Sequence, residues 1–164
     1  MFKFEQSIWT AKNPQEVFEF LSEPTNDAKW RGSSVSAEWI SDPPHGVGST
    51  NKAVDKLLGR NIESTREVTA WDPPKQFGFK GASGPMSFEL TMTFEAQDDG
   101  TKATISVEVQ SGGLFKMAEN LFAKQMEKQV STDMASLKRF MGGGTKNPNR
   151  PRCCPPIDGI LPSQ

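Results

Sequence analysis

The chain has 164 residues with 20 acidic and 19 basic side chains, a formal net charge of −1 and a pI near 5.9. That length predicts one domain able to bury a core, and the charge balance excludes the clustered basic surface a nucleic-acid binder uses to displace phosphate counterions. No apolar run reaches the roughly 18–20 residues that span a bilayer, and Met1-Phe2-Lys3-Phe4-Glu5 carries charges where a signal peptide needs apolar residues.

Phe2, Phe4, Gln6 and Ile8 alternate with Lys3, Glu5, Ser7 and Trp9, which predicts a strand over residues 2–10. Asn13-Pro14-Gln15-Glu16 then announces a helix. Asn is a capping residue, Pro suits the first helical position, and Glu16 lies three residues after the cap. Val17, Phe18 and Leu21 give that helix its buried stripe, and Pro24 ends it. A second short helical turn is expected around residues 25–29.

From residue 33 to 111 short alternating stretches are divided by turn chemistry. The dividers are Asp42 to Gly48, Gly59, Asp72-Pro73-Pro74, Gly81 to Pro85, and Asp98-Asp99-Gly100. Six strands are predicted between them, at about 34–41, 49–58, 60–71, 76–81, 86–97 and 101–111. The clearest are the fifth and sixth, and in the fifth Met86, Phe88, Leu90, Met92 and Phe94 alternate with polar residues. In the sixth Ala103, Ile105, Val107 and Val109 do the same. Such a pattern gives an antiparallel meander with one buried face.

After Gly112-Gly113 the period changes to about 3.6. Phe115, Ala118, Phe122, Met126, Val130, Met134, Leu137 and Met141 form one face of a long amphipathic helix. Leu114, Met117 and Leu121 widen its apolar arc over the first two turns. A helix of about 27 residues would run roughly 40 Å, and only a curled sheet offers it enough concave surface. Residues 142–164, with four Gly and five Pro and no periodicity, are expected to form a flexible tail.

Little of the usual chemistry is encoded. His45 is the single histidine and sits in a Pro/Gly loop, where an exposed position is expected. One histidine and two tail cysteines exclude the usual N/S zinc site. Cys153 and Cys154 are adjacent, cannot staple distant elements, and fit a reducing cytoplasm as an inert pair. Gly46-Val47-Gly48 is followed by a strand instead of a helix, so the phosphate-cradle reading fails. Gly142-Gly143-Gly144-Thr145-Lys146 lacks P-loop spacing, and Gly81-Ala82-Ser83-Gly84-Pro85 lacks the glycine a nucleophile elbow needs. No cofactor and no metal are expected.

Several segments together resemble the START-like superfamily, also called polyketide cyclase/dehydrase-like or SRPBCC. They are Ile8-Trp9-Thr10-Ala11 with Pro14 and Glu16-Val17-Phe18; Trp30 after the second short helix; Gly46-Val47-Gly48-Ser49; Glu67 to Pro74; Gly100-Thr101-Lys102-Ala103-Thr104; and Leu137-Lys138. The likeness covers residues 2–141. It implies an α+β helix-grip fold, in which a curved seven-stranded antiparallel sheet, with two short helices after strand 1, wraps a long C-terminal helix. The expected domain is residues 1–141, followed by the tail.

The resemblance also implies a cavity between sheet and helix for a lipid, polyketide, sterol, quinone or similar molecule. Its known activities range from carriers to cyclases, ring-hydroxylase subunits and ATPase activators, so fold alone selects none. Period two places Ile62, Ser64 and Arg66 inward with Val68. The candidate ligand-binding residues are these three with Phe79, Phe88, Leu90, Met92 and Val107 from the sheet, and Phe122, Met126 and Val130 from the helix. Met86, Met92, Met126 and Met134 are all assigned inward, where methionine adapts to irregular partners. An unpaired buried arginine is costly, so Arg66 should meet a carboxylate or a polar group of the ligand.

Binding or transport of a small hydrophobic or amphipathic molecule is therefore the first functional expectation, with Arg66 and Ser64 orienting it. The second is a cyclase or dehydratase, for which Arg66 and Asp55 are the candidate polar groups. The third is an interaction module of the ATPase-activator kind. The expected partner is a small hydrophobic molecule, with no nucleic acid and no membrane span; oligomeric state is unreadable.

Overall fold

The computed structural model of the chain describes residues 1–57, 59–83, 86–113 and 118–142. The predicted Gly/Pro tail with Cys153 and Cys154, and Leu114, Phe115, Lys116 and Met117 of the predicted long helix, lie outside the described residues.

Strand β1 (Phe2–Thr10) leads into helix α1 (Pro14–Ser22), a 3-10 turn (Pro24–Asn26) and the short helix α2 (Asp27–Trp30). Six strands follow: β2 (Ser34–Trp39), β3 (Thr50–Leu57), β4 (Arg60–Asp72), β5 (Gln76–Ser83), β6 (Met86–Gln97) and β7 (Gly100–Ser111). Helix α3 (Glu119–Phe140) comes last. The strands form one antiparallel sheet in the order β1-β7-β6-β5-β4-β3-β2. The meander thus runs from β2 to β7, and the first strand closes on the last.

The local signals act as their chemistry predicts. At the start of α1 the Asn13 side chain accepts from the Glu16 backbone N–H at 2.9 Å, and Glu16 accepts from the Asn13 N–H at 3.2 Å. Such a cap is worth about 1 kcal/mol. Between β6 and β7 the turn residues Asp98 and Asp99 both have positive φ, 49° and 60°, the conformation a two-residue hairpin demands. Gly100 follows because a Cβ there would stand 2.1 Å from the Thr10 carbonyl oxygen.

The inner face of the sheet is a set of rows across the strands. One row runs Asn51, Arg66, Gly81, Phe88, Val109, Phe2; the next runs Val68, Phe79, Leu90, Val107, Phe4; a third runs Phe77, Met92, Ile105, Gln6. The alternation of β4 is broken by a register shift between Val68 and Ala70. That bulge pairs Trp71 with Phe77, and Trp71 packs edge-on against Phe18 at 5.3 Å between ring centroids. An uninterrupted strand would have left Trp71 on the opposite face from Val68.

The core is concentrated at the α1 end of the sheet. Val17, Phe18 and Leu21 pack there with Phe77, Phe94 and Ala103. The C-terminal half of α3 joins them through Met134, Leu137 and Met141, and burial of Leu137 contributes about 1.5–3 kcal/mol. Further back along α3, Phe122, Met126 and Val130 are only half-buried. The helix packs along β1 and α2, so its N-terminal half stands off the middle of the sheet.

Two expectations are corrected at α3. It has 22 residues, beginning at Glu119 with Ala118 as its cap. Leu121 does not widen a buried arc, because its side chain is 76% exposed.

Candidate functional site: a cavity with one polar end

The gap between sheet and α3 is a cavity of about 200 Å³. All the side chains singled out as candidate ligand-binding residues stand on its wall. Ile62, Ser64 and Arg66 come from β4 and Phe79 from β5. Phe88, Leu90 and Met92 come from β6, with Val107 from β7. Phe122, Met126 and Val130 close it from α3. Solvent-exposed Lys56 and Gln125 mark the rim. Met86 also lines it, whereas Met134 is in the solid core.

Most of the wall is apolar, but the region beneath α2 is ionic. Arg66 is 2% exposed. Its Nη1 donates to Asp27 Oδ2 and its Nη2 to Asp55 Oδ2, each at 2.8 Å. Its guanidinium also lies 5.0 Å from the centre of the Phe79 ring. Beside it Arg31 approaches Asp27 at 3.4 Å, Asp55 at 3.4 Å and Asp133 at 3.9 Å. Asp133 Oδ1 accepts from the Gly32 backbone N–H and from Gln129 Nε2, both at 3.0 Å. One network therefore ties α2, β3, β4 and α3 together.

Two of these groups are shifted from their ordinary values. Desolvation pushes the Asp133 carboxyl above its ordinary value of 3.8, against the Gly32 N–H, the Arg31 charge and the Gln129 amide, which all favour the charged form. For Arg31 burial acts to lower the pKa, but Asp55, Asp27 and Asp133 outweigh it and the group is held above its usual value.

The expected partner of Arg66 is thus a carboxylate, and two are present. The charge of Arg66 is therefore engaged within the protein, by Asp27 and by Asp55, the other catalytic candidate. His45 is also corrected. It is not an exposed loop side chain: its ring stacks on Trp39 with centroids 3.8 Å apart, and Nε2 lies 3.1 Å from the Ser41 carbonyl oxygen, away from the cavity wall.

Several cavity residues escape a reading of the sequence. Trp30 stands out there only through its family likeness, yet it is 3% exposed and lines the cavity. Asn51, 2% exposed, faces Arg66 across β3 and β4. Its position follows from the Leu57–Arg60 hairpin register, since each step back along β3 advances one step along β4. Asp133 and Gln129 have no comparable signal.

A family model described as polyketide cyclase / dehydrase and lipid transport matches residues 1–142. The chain belongs to this family. Solved structures agree on the fold. A Thermus thermophilus protein, TTHA0849, superposes with a TM-score of 0.72 at 15% identity, over 84% of this chain and 95% of that one. The Zhui aromatase/cyclase from Streptomyces sp. R1128 gives 0.72 at 11% identity, over 85% and 93%. The di-domain ARO/CYC protein BexL of the BE-7585A biosynthetic pathway gives 0.69 at 14%, covering 85% of this chain and 46% of BexL. No curated protein matches the chain. Among the described residues no helix is long and apolar enough to cross a membrane.

Proposed function

We propose that this member of the polyketide cyclase / dehydrase and lipid transport family binds a small, largely apolar molecule between its sheet and α3. The ligand-binding domain is residues 1–141, with the Gly/Pro-rich residues 142–164 outside it, and the protein works in the cytoplasm. The observation that carries the reading is the cavity itself, enclosed by side chains of Phe79, Phe88, Leu90, Met92, Phe122 and Met126. Its size narrows the ligand. Drug-sized pockets run to roughly 300–1,000 Å³, while an engineered apolar cavity of about 150 Å³ takes up benzene. A volume of about 200 Å³ suits one or two fused rings or a short acyl chain better than a whole sterol.

The test is calorimetric titration with naphthalene, joined to native mass spectrometry of freshly purified protein. A single saturable site and a co-purifying small molecule are expected. No saturable binding of naphthalene would overturn the reading.

A second reading, a cyclase or dehydratase acting on a polyketide-like chain, draws on Asp133. This carboxyl is 4% exposed, lies on the cavity wall and holds its proton more tightly than an ordinary aspartate, as a general acid should. Asp133→Asn would then abolish turnover while leaving naphthalene affinity unchanged; equal loss of both would assign Asp133 to structure.

A further inference from the structure

The fold divides the exposed cations into two sets. On the outer face of the sheet Lys3 meets Glu108 at 2.7 Å, Lys52 meets Glu63 at 3.1 Å and Lys80 meets Glu67 at 3.4 Å. On α3 the pattern differs. Lys124, Lys128 and Arg139 are all exposed, and among the described residues none of the three has an ion-pair partner. The formal net charge of the chain is −1, so this free basic row comes from segregation and not from a basic composition.

Helical spacing aligns the row. At about 100° and 1.5 Å per residue, Leu121, Lys124, Lys128 and Arg139 fall on one stripe, opposite the inward Met126, Val130 and Leu137. Leu121 on that stripe is 76% exposed. No acidic side chain of the helix shares it. Glu119 is held by the Met1 amino group, Asp133 is buried beside Arg31, and Glu127 lies about 100° further round the helix.

A single exposed leucine is ordinary. Beside a row of unpaired cations it makes a surface matched to an anionic layer with an apolar interior. The stripe also borders the cavity mouth. Gln125, next to Lys124, stands on the rim, and on the other side of the opening the β3–β4 hairpin carries exposed Lys56 and Arg60. Neither of these has an ion-pair partner among the described residues.

We infer that the outward stripe of α3, built from Leu121, Lys124, Lys128 and Arg139, seats the protein reversibly on an anionic phospholipid bilayer, with the cavity mouth beside the contact. The cations are drawn to the headgroup phosphates, each adding roughly fivefold to partitioning near the surface, and Leu121 enters the acyl boundary. A bilayer offers both in one plane, without the shape-matched pocket that an acidic protein would have to bring. This docking concerns the outer side of the helix and its test contains no cavity ligand, so it and the binding function proposed above can fail separately.

The experiment is sedimentation of the full chain with extruded vesicles at pH 7. The vesicles hold phosphatidylcholine alone or phosphatidylcholine with about 30% phosphatidylglycerol. At about 0.05 M salt the mixed vesicles should take up the protein at least about tenfold more strongly than the neutral ones, and about 0.5 M salt should remove the difference. The paired change Lys124→Gln with Lys128→Gln, between residues of similar helix propensity, should cut uptake by about twentyfold. Leu121→Gln should cut it several-fold. Lys75→Gln, which removes an exposed charge between β4 and β5, should leave it within about twofold. Thermal melts show which variants keep the fold; for any that does not, the vesicle and salt comparison on the natural protein decides alone. Equal uptake by both kinds of vesicle would overturn the inference, as would a loss with Lys75→Gln as large as with the helix pair. Saturable binding of soluble polyglutamate without vesicle uptake would also overturn it, and would give the face to an acidic protein.

Discussion

Arg66 on β4 and Asp27 at the start of α2 are 39 residues apart and joined by a 2.8 Å hydrogen bond inside the protein. The contact fastens the short helix to the sheet, and it sets one wall of the cavity. Because Arg66 also donates to Asp55, removing it would strip both carboxylates of their 2.8 Å partner and leave them only the longer 3.4 Å contacts of Arg31.

Arg66→Met is therefore expected to destabilise the fold by about 3–5 kcal/mol, the usual cost of breaking a buried pair by deleting one member. Urea denaturation would measure it. A loss below about 1 kcal/mol, typical of solvent-exposed ion pairs, would show that the network is wet and contributes little.

The raised pKa of Asp133 gives a pH dependence with a definite sign. The folded state binds the Asp133 proton more tightly than the unfolded chain does, because desolvation penalises the charged carboxylate. Its contribution to stability is therefore fully present below the unfolded value of 3.8 and is lost as pH rises through the higher folded value. Compared with Asp133→Asn, the natural protein should gain relative stability as pH falls from 7 toward 4. Thermal melts of the pair across that range would show it, and a relative loss on acidification would contradict it.

Gly81, the register partner of Arg66, offers a way to shrink the cavity without removing any charged group. A Cβ at this position would stand 2.6 Å from Phe88 Cζ, so the ring must yield. Phe88 is half-buried and lines the cavity, leaving its far edge free to swing into the open space. Gly81→Ala should thus reduce naphthalene affinity several-fold at a stability cost of about 1–3 kcal/mol, the range for overpacked sites. Unchanged affinity would mean that the ring moves away from the ligand space.

How much of this was legible in the sequence depended on how far apart the cooperating residues are. The alternation of Met86, Phe88, Leu90 and Met92 is local and was enough to put them on the inner face. The Asn13–Glu16 cap and the Asp98-Asp99 turn were equally readable, because each is settled within four residues. The bulge between Val68 and Ala70 was not, since nothing in Val68-Thr69-Ala70-Trp71 announces it; packing of Trp71 against Phe18 accompanies it. The pairing of Arg66 with Asp27 and Asp55 was foreseen in kind but not in identity. Both partners arrive from other elements. Asp133 and Trp30 were missed for the same reason, as was the stacking of His45 on Trp39.

The most direct test of the central claim is to fill the cavity from the helix side. Met126→Trp, with Phe122→Trp as its companion, places an indole where α3 stands off the sheet, and naphthalene binding is followed by calorimetry beside a thermal melt. One site in the natural protein, lost in both variants while each still melts cooperatively, is the predicted result. Undiminished naphthalene binding in both folded variants would contradict the claim that this space is where the ligand sits.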